Sequence, residues 1–131
     1  MIGILNYGSG NFKSVFNALK YLDIKFLEIS NPEQFKKVSH IILPGVGSYN
    51  DLIQRLKKKN LFDILKYYIN EKKIFYLGIC VGMQILSDYG YENTKTSGLS
   101  LIDGIVKKIP VENEVLPNIG WHKIILTKKN S

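Results

Sequence analysis

The sequence predicts an α/β fold: a doubly wound, mostly parallel sheet with helices on both faces. Three observations carry this expectation. Four short apolar runs, residues 2–6, 24–29, 41–43 and 74–77, do not alternate with polar residues, as strands buried on both faces need not. Helical patterns separate the runs, and parallel strands need crossovers of that kind, wound right-handed. The turn residues cluster where each strand would end.

The first run enters the loop 7–11, Tyr7-Gly8-Ser9-Gly10-Asn11, after which Phe12, Val15, Phe16, Leu19 and Leu22 recur at helical spacing. Asn31-Pro32-Glu33 reads as a cap, a first-turn proline and a first-turn acid, and so starts a short helix after the second strand. The third run ends in Pro44-Gly45-Val46-Gly47-Ser48-Tyr49, followed by a helix over 51–59. Asn60 is expected to cap the next helix, which carries Phe62, Leu65, Tyr68 and Ile69 on one side. From Gly98 the rhythm changes. Residues 99–109 and 119–127 are strand-like with only 111–117 between them, which predicts antiparallel edge strands near the C-terminus. No internal repeat or linker interrupts the chain, so residues 1–131 read as a single domain with enough length to bury a core.

Composition narrows the function. The chain is 45% hydrophobic without any apolar run near the ~20 residues a membrane span needs. No basic segment followed by a cleavable apolar stretch opens it, and its lone cysteine cannot form an internal disulfide. A cytoplasmic setting is the expectation, with no membrane. The net charge of +7 raises nucleic acid as a partner, but Arg55 is the only arginine among the 18 basic residues. Specific phosphate and base recognition leans on the planar arginine fork. Lys57-Lys58-Lys59 and Lys72-Lys73 instead close predicted helices, where cations suit the dipole. One cysteine and two histidines make a poor metal set, and nothing supports a bound cofactor.

The chemistry concentrates at Cys80. Phe75-Tyr76-Leu77-Gly78-Ile79-Cys80-Val81-Gly82-Met83-Gln84 is an apolar strand running into Gly-x-Cys-x-Gly and then a helical pattern, the thiol version of a nucleophile elbow. Gly78 is expected to let the backbone turn and Gly82 to let the helix approach the strand. A following helix dipole would favour thiolate, and the Val81 N–H would point where an oxyanion forms. A free cysteine is most often a small buried hydrophobe; glycines on both sides of a strand-to-helix corner argue for function. In a doubly wound sheet ligands bind beyond the carboxyl ends of the strands, where the 7–11 loop, the Pro44–Tyr49 loop and the Cys80 turn all fall. The plain reading of Pro44-Gly45-Val46-Gly47 is a tight turn; the functional one is that its amides face an oxyanion or a carboxylate. Gly8-Ser9-Gly10 is not a dinucleotide loop, because Lys13 stands where its third glycine belongs and only Glu28 is near the ribose position.

These segments resemble the class I, triad-type glutamine amidotransferases, and within them the glutaminase subunits of imidazole glycerol phosphate synthase. The resemblance rests on Asn6-Tyr7-Gly8-Ser9-Gly10-Asn11 with Ser14-Val15, on Leu43-Pro44-Gly45-Val46-Gly47, on Gly78 through Gln84, and on Pro117-Asn118-Ile119-Gly120-Trp121. Gly98-Leu99 and Gly104-Ile105-Val106 fit as well. It covers the whole chain and implies a flavodoxin-like core. It further implies that Cys80 attacks the side-chain amide of glutamine, giving a thioester and ammonia, and that the ammonia passes to a (β/α)₈-barrel cyclase or synthase. By family position Val81 with Val46 or Gly47 forms the oxyanion hole, and Gly45, Gly47, Gln84 and Glu92 hold the glutamine. Asn11 and Trp121 face the partner.

The family completes its triad with a histidine and a glutamate in a Phe-His-Pro-Glu type segment, which this sequence lacks. His40 starts the third strand, at the far end from the nucleophile, and His122 follows Gly120-Trp121 on the expected edge structure. Loss of a base typically lowers the rate on the order of 10²–10⁴-fold. The expectation is therefore a partial form of a longer glutaminase, impaired in hydrolysis, and the DNA beyond Ser131 is the place to look for the rest. Three alternatives remain open: a glutaminase serving an amino-sugar synthase for surface polysaccharide, a non-catalytic interaction subunit, and a redox protein with a reactive thiol.

Overall fold

The computed structural model describes residues 1–8, 11–110 and 120–125. Strands β1 (Ile2–Leu5), β2 (Phe26–Ile29), β3 (His40–Gly45) and β4 (Phe75–Cys80) form one sheet in the order β2-β1-β3-β4. Every pairing in it is parallel. The four expected strands are all present. β3 and β4 run further than their apolar cores because the ladder continues through Pro44↔Ile79 and Gly45↔Cys80. Main-chain pairing needs no apolar side chain.

Helices cover both faces, which makes the sheet doubly wound. Helix α1 (Phe12–Tyr21) lies on one face, where Leu19 packs with Ile4 and Ile42. On the other face, α2 (Tyr49–Lys58), α3 (Phe62–Asn70) and a 3₁₀ turn (Pro32–Lys37) close the larger core around Leu5, Ile29, Phe35, Leu43, Leu56 and Leu65. The helix expected at Asn31 is thus a 3₁₀ turn, with the Asn31 N–H donating to Gln34 Oε1 at 3.1 Å. α2 starts two residues before the expected 51 because Ser48 Oγ accepts from the Asp51 N–H at 3.2 Å. Asn60 is not the cap of α3. Its φ of 56° places it in the left-handed region just past α2, and its N–H donates to the Lys57 carbonyl. Asparagine tolerates that conformation, so it ends one helix rather than starting the next.

Beyond Cys80 comes a single helical turn, α4 (Val81–Gln84), and then a second sheet of two-residue strands: β5 (Tyr89–Gly90), β6 (Thr96–Ser97) and β7 (Ile105–Val106). Its order is β6-β5-β7, antiparallel on one side and parallel on the other. The antiparallel edge strands expected over 99–109 therefore take another form. Ile105–Val106 pairs with β5, not with the main sheet, while the Leu99 and Leu101 N–H groups satisfy the Ile85 and Leu86 carbonyls beyond α4. Of the expected strand 119–127, residues 120–125 show no regular secondary structure, and the remainder lies outside the described residues, as do 111–117 and Ser9-Gly10.

One further expectation needs correction. β4 is not buried on both faces. Phe75 is 70% exposed and Leu77 56%, because α1 packs over β1 and β3 while, among the described residues, β4 closes the strand order. Among the described residues no helix is long and apolar enough to cross a membrane.

Candidate active site

The ladder between β3 and β4 builds the site. Pairing Gly45 with Cys80 places the start of the Val46-Gly47 loop beside the thiol-bearing residue. Cys80 itself has φ 54° and ψ −115° and is exposed. Those angles match the first central position of a type II′ turn, which glycine normally occupies. A side chain there stores strain of order 1–3 kcal/mol and is typical of functional corners. The turn is thus made at Cys80, not at Gly78 as the sequence suggested.

The flanking glycines serve close approach instead. A Cβ on Gly78 would lie 2.5 Å from the Gly82 carbonyl carbon and from the Met83 nitrogen, and one on Gly45 would strike the Gly82 nitrogen. A Cβ on Gly82 would strike the Leu43 carbonyl oxygen. The ends of β3 and β4 and the start of α4 therefore touch backbone to backbone. Val81 is the first residue of α4, so its N–H has no intrahelical acceptor and remains a donor at the turn. The helix is only one turn long, so the dipole expected to favour thiolate is correspondingly short.

Cys80 borders a cavity of about 460 Å³. Asn11, Ser14, Pro44, Gly45, Val46 and Ile79 line it with others, so the loops after β1, β3 and β4 do converge. Val46 is half-exposed, and Gly47 holds φ 92°, in the left-handed region that glycine adopts without strain. Asn11 stands at the N-terminus of α1, its Oδ1 accepting from Ser14 Oγ. Gln84 lies one helical turn past Cys80. Glu92 sits elsewhere: its Oε2 accepts the Tyr49 N–H at 2.8 Å, at the start of α2 and immediately beyond the Gly45–Ser48 loop. Trp121 is fully exposed.

Neither histidine lines this cavity. His40 opens β3 five residues before Gly45, about 17 Å away along a strand, and stacks on the Phe75 ring at 4.8 Å. His122 lies on the exposed stretch 120–125.

Sequence reasoning missed Tyr7. It is 2% exposed, and its hydroxyl has no hydrogen-bond partner among the described residues. Burial pushes its phenol above the ordinary range, opposed by the nearby Val46 backbone, while Asp51, Arg55 and Cys80 lie within electrostatic reach. The signal available was its place in Asn6-Tyr7-Gly8, at the carboxyl end of β1. The loop is pinned further: the Gly8 N–H donates to Asn6 Oδ1 at 2.9 Å, and Lys59 Nζ donates to the Asn6 carbonyl at 3.0 Å. Among the described residues no three His, Cys, Asp or Glu side chains gather as a metal would require.

An exposed thiol on a positive-φ corner, at the carboxyl end of a parallel sheet and beside a glycine loop, gives this α/β domain the geometry of a nucleophile elbow. The family model described as glutamine amidotransferase class-I matches residues 4–128, and the chain belongs to that family. A protein of Leptospira interrogans named imidazole glycerol phosphate synthase subunit HisH is 40% identical over 134 residues, covering 99% of this chain and 65% of the relative. Proteins of the same name from Prochlorococcus marinus and Caldanaerobacter subterraneus are also 40% identical, with 99% and 98% of this chain covered and 63% and 62% of theirs. The chain thus spans just under two thirds of the length of these relatives. A solved structure described as a glutamine amidotransferase superposes with a TM-score of 0.64 over 75% of this chain and 51% of its own, at 22% identity, and so shares the fold.

Proposed function

We propose that this chain is the nucleophile-bearing part of a glutaminase subunit that supplies ammonia for imidazole glycerol phosphate formation in histidine biosynthesis. The observation that carries the reading is the Cys80 corner, φ 54° and ψ −115°, in register with Gly45 of the Pro44–Gly47 loop. Cys80 Sγ attacks the side-chain amide carbon of glutamine. The carbon–nitrogen bond breaks, the thiol proton leaves with the amide nitrogen as ammonia, and a glutamyl thioester remains. Water then cleaves the thioester to glutamate and restores the thiol. Val81 N–H, with an amide of Val46 or Gly47, receives the oxyanion in both steps. Gly45, Gly47, Gln84 and Glu92 hold the glutamine. For Glu92 this means that the carboxylate now on the Tyr49 N–H also serves the substrate ammonium, linking substrate to the end of the oxyanion loop.

The ammonia passes to a (β/α)₈-barrel cyclase in a heterodimer, and the composite synthase acts as a lyase in the cytoplasm. Asn11 at the cavity mouth and the exposed Trp121 face that partner. The relatives' names favour the histidine route over an amino-sugar synthase. Because neither histidine lines the Cys80 cavity, thioester formation is expected to outpace hydrolysis in this chain.

A chloroketone analogue of glutamine tests the reading. It should alkylate Cys80 at least tenfold faster than a chloroketone lacking the amino-acid head, read by intact mass and peptide mapping. Equal rates for the two would remove the glutamine site. His122→Ala should leave both rates unchanged.

A further inference from the structure

Tyr76 lies inside β4, packed against the larger core, and carries a phenol hydroxyl. That hydroxyl donates to the Gly82 carbonyl at 2.6 Å, across the nucleophile corner from β4 to α4. The reason lies in the shortness of α4. In a continuing helix the Gly82 carbonyl would accept from the Leu86 N–H, but that amide donates to Met83 instead, at 3.1 Å. The helix has already ended at Gln84. The Gly82 carbonyl is therefore left without its helical donor in a buried place, and Tyr76 supplies one. Gly82 is also the residue whose backbone rests on Leu43, Gly45 and Gly78. One phenol thus secures the peptide that seats α4 on the sheet, two residues after the thiol and one after the Val81 N–H. Burial pushes the Tyr76 phenol far above its ordinary range, so it stays a donor at any working pH.

We propose that Tyr76 is a positioning residue for the nucleophile corner: its bond to the Gly82 carbonyl fixes the tilt of α4, and with it the direction of the Val81 N–H relative to Cys80 Sγ. The proposal rests on the glutaminase reading, because it gives the Val81 amide an oxyanion to meet. Phenylalanine at this position keeps the ring and leaves the buried Gly82 carbonyl unpaired, so the substitution removes the bond without emptying the core.

Tyr76→Phe in the full chain, shown to be folded by circular dichroism at 10 °C, tests it through two alkylation rates. Iodoacetamide reports access to the Cys80 thiol by direct displacement, with no oxyanion. The chloroketone analogue of glutamine reports attack at a carbonyl that the corner must receive. Removing an oxyanion donor outright costs on the order of 10²–10³-fold, so a donor left in place but mis-aimed should cost about tenfold. The expected result is an iodoacetamide rate within twofold of the parent and a chloroketone rate about tenfold lower. Both rates within twofold of the parent would overturn the proposal, and so would a parallel fall in the two rates, which marks a purely structural role. Failure of the glutaminase reading looks different: the parent itself would then show no preference for the glutamine analogue, and both ideas would fall together.

Discussion

Replacing Cys80 by glycine and by alanine separates the strain at the corner from the chemistry of the thiol. Both substitutions delete the sulfur, and the side chain is exposed, so little packing is lost in either. They differ in what φ 54° and ψ −115° demand of them. Alanine keeps the Cβ and with it the strain, of order 1–3 kcal/mol. Glycine adopts these angles freely but gives the unfolded chain extra freedom, which offsets about 0.4–1 kcal/mol. The difference should leave Cys80→Gly more stable than Cys80→Ala by about 1–2 kcal/mol. For a chain between the 60–100 and 150–250 residue classes this is a melting-temperature gap of about 5 °C. Thermal unfolding followed by circular dichroism, with urea denaturation as a second measure, reads it directly. Glycine is normally the worse of the two inside secondary structure, so the sign is diagnostic. An alanine variant that melts at or above the glycine variant would refute the strained corner, and with it the main structural argument that Cys80 is placed for chemistry.

Two further substitutions probe the frame of the site. Gly82→Ala drives a Cβ into the Leu43 carbonyl oxygen, and because that neighbour is main chain it has little room to give; a loss of about 3 kcal/mol is expected, seen as a lower urea midpoint at unchanged slope. Ser48→Ala removes the cap accepted from Asp51 at the start of α2 and should lower stability by about 1 kcal/mol in the same titration.

What the sequence disclosed is uneven in an instructive way. The apolar runs announced β1 to β4 because strands in a parallel sheet must bury their side chains, and Gly-x-Cys-x-Gly announced the corner because few backbones need that pattern. The runs could not show that β4 ends the strand order among the described residues, since Phe75, Leu77 and Ile79 look as apolar exposed as buried. The two-residue strands β5, β6 and β7 carry no periodicity at all; backbone bonds such as the one from the Asp88 N–H to the Gly104 carbonyl hold them. Hydrogen bonds between elements were equally silent. Glu92 meets the Tyr49 amide 43 residues away, and Tyr76 meets a carbonyl that matters only because α4 stops after one turn. Asn60 misled because the same residue type suits both the start of one helix and the end of another.

The contact of Gly45 with Gly82 joins the end of β3 to the first turn of α4 by main chain alone, and that removes slack from the site. Side chains between moving parts can change rotamer and absorb a displacement; two peptide groups in contact cannot. A push delivered to the end of β3 must reach the first turn of α4, and a rotation of the Cys80 corner must be felt in the loop that carries Val46 and Gly47. The end of β3 and the Cys80 corner behave as one lever, so whatever docks against either acts on both.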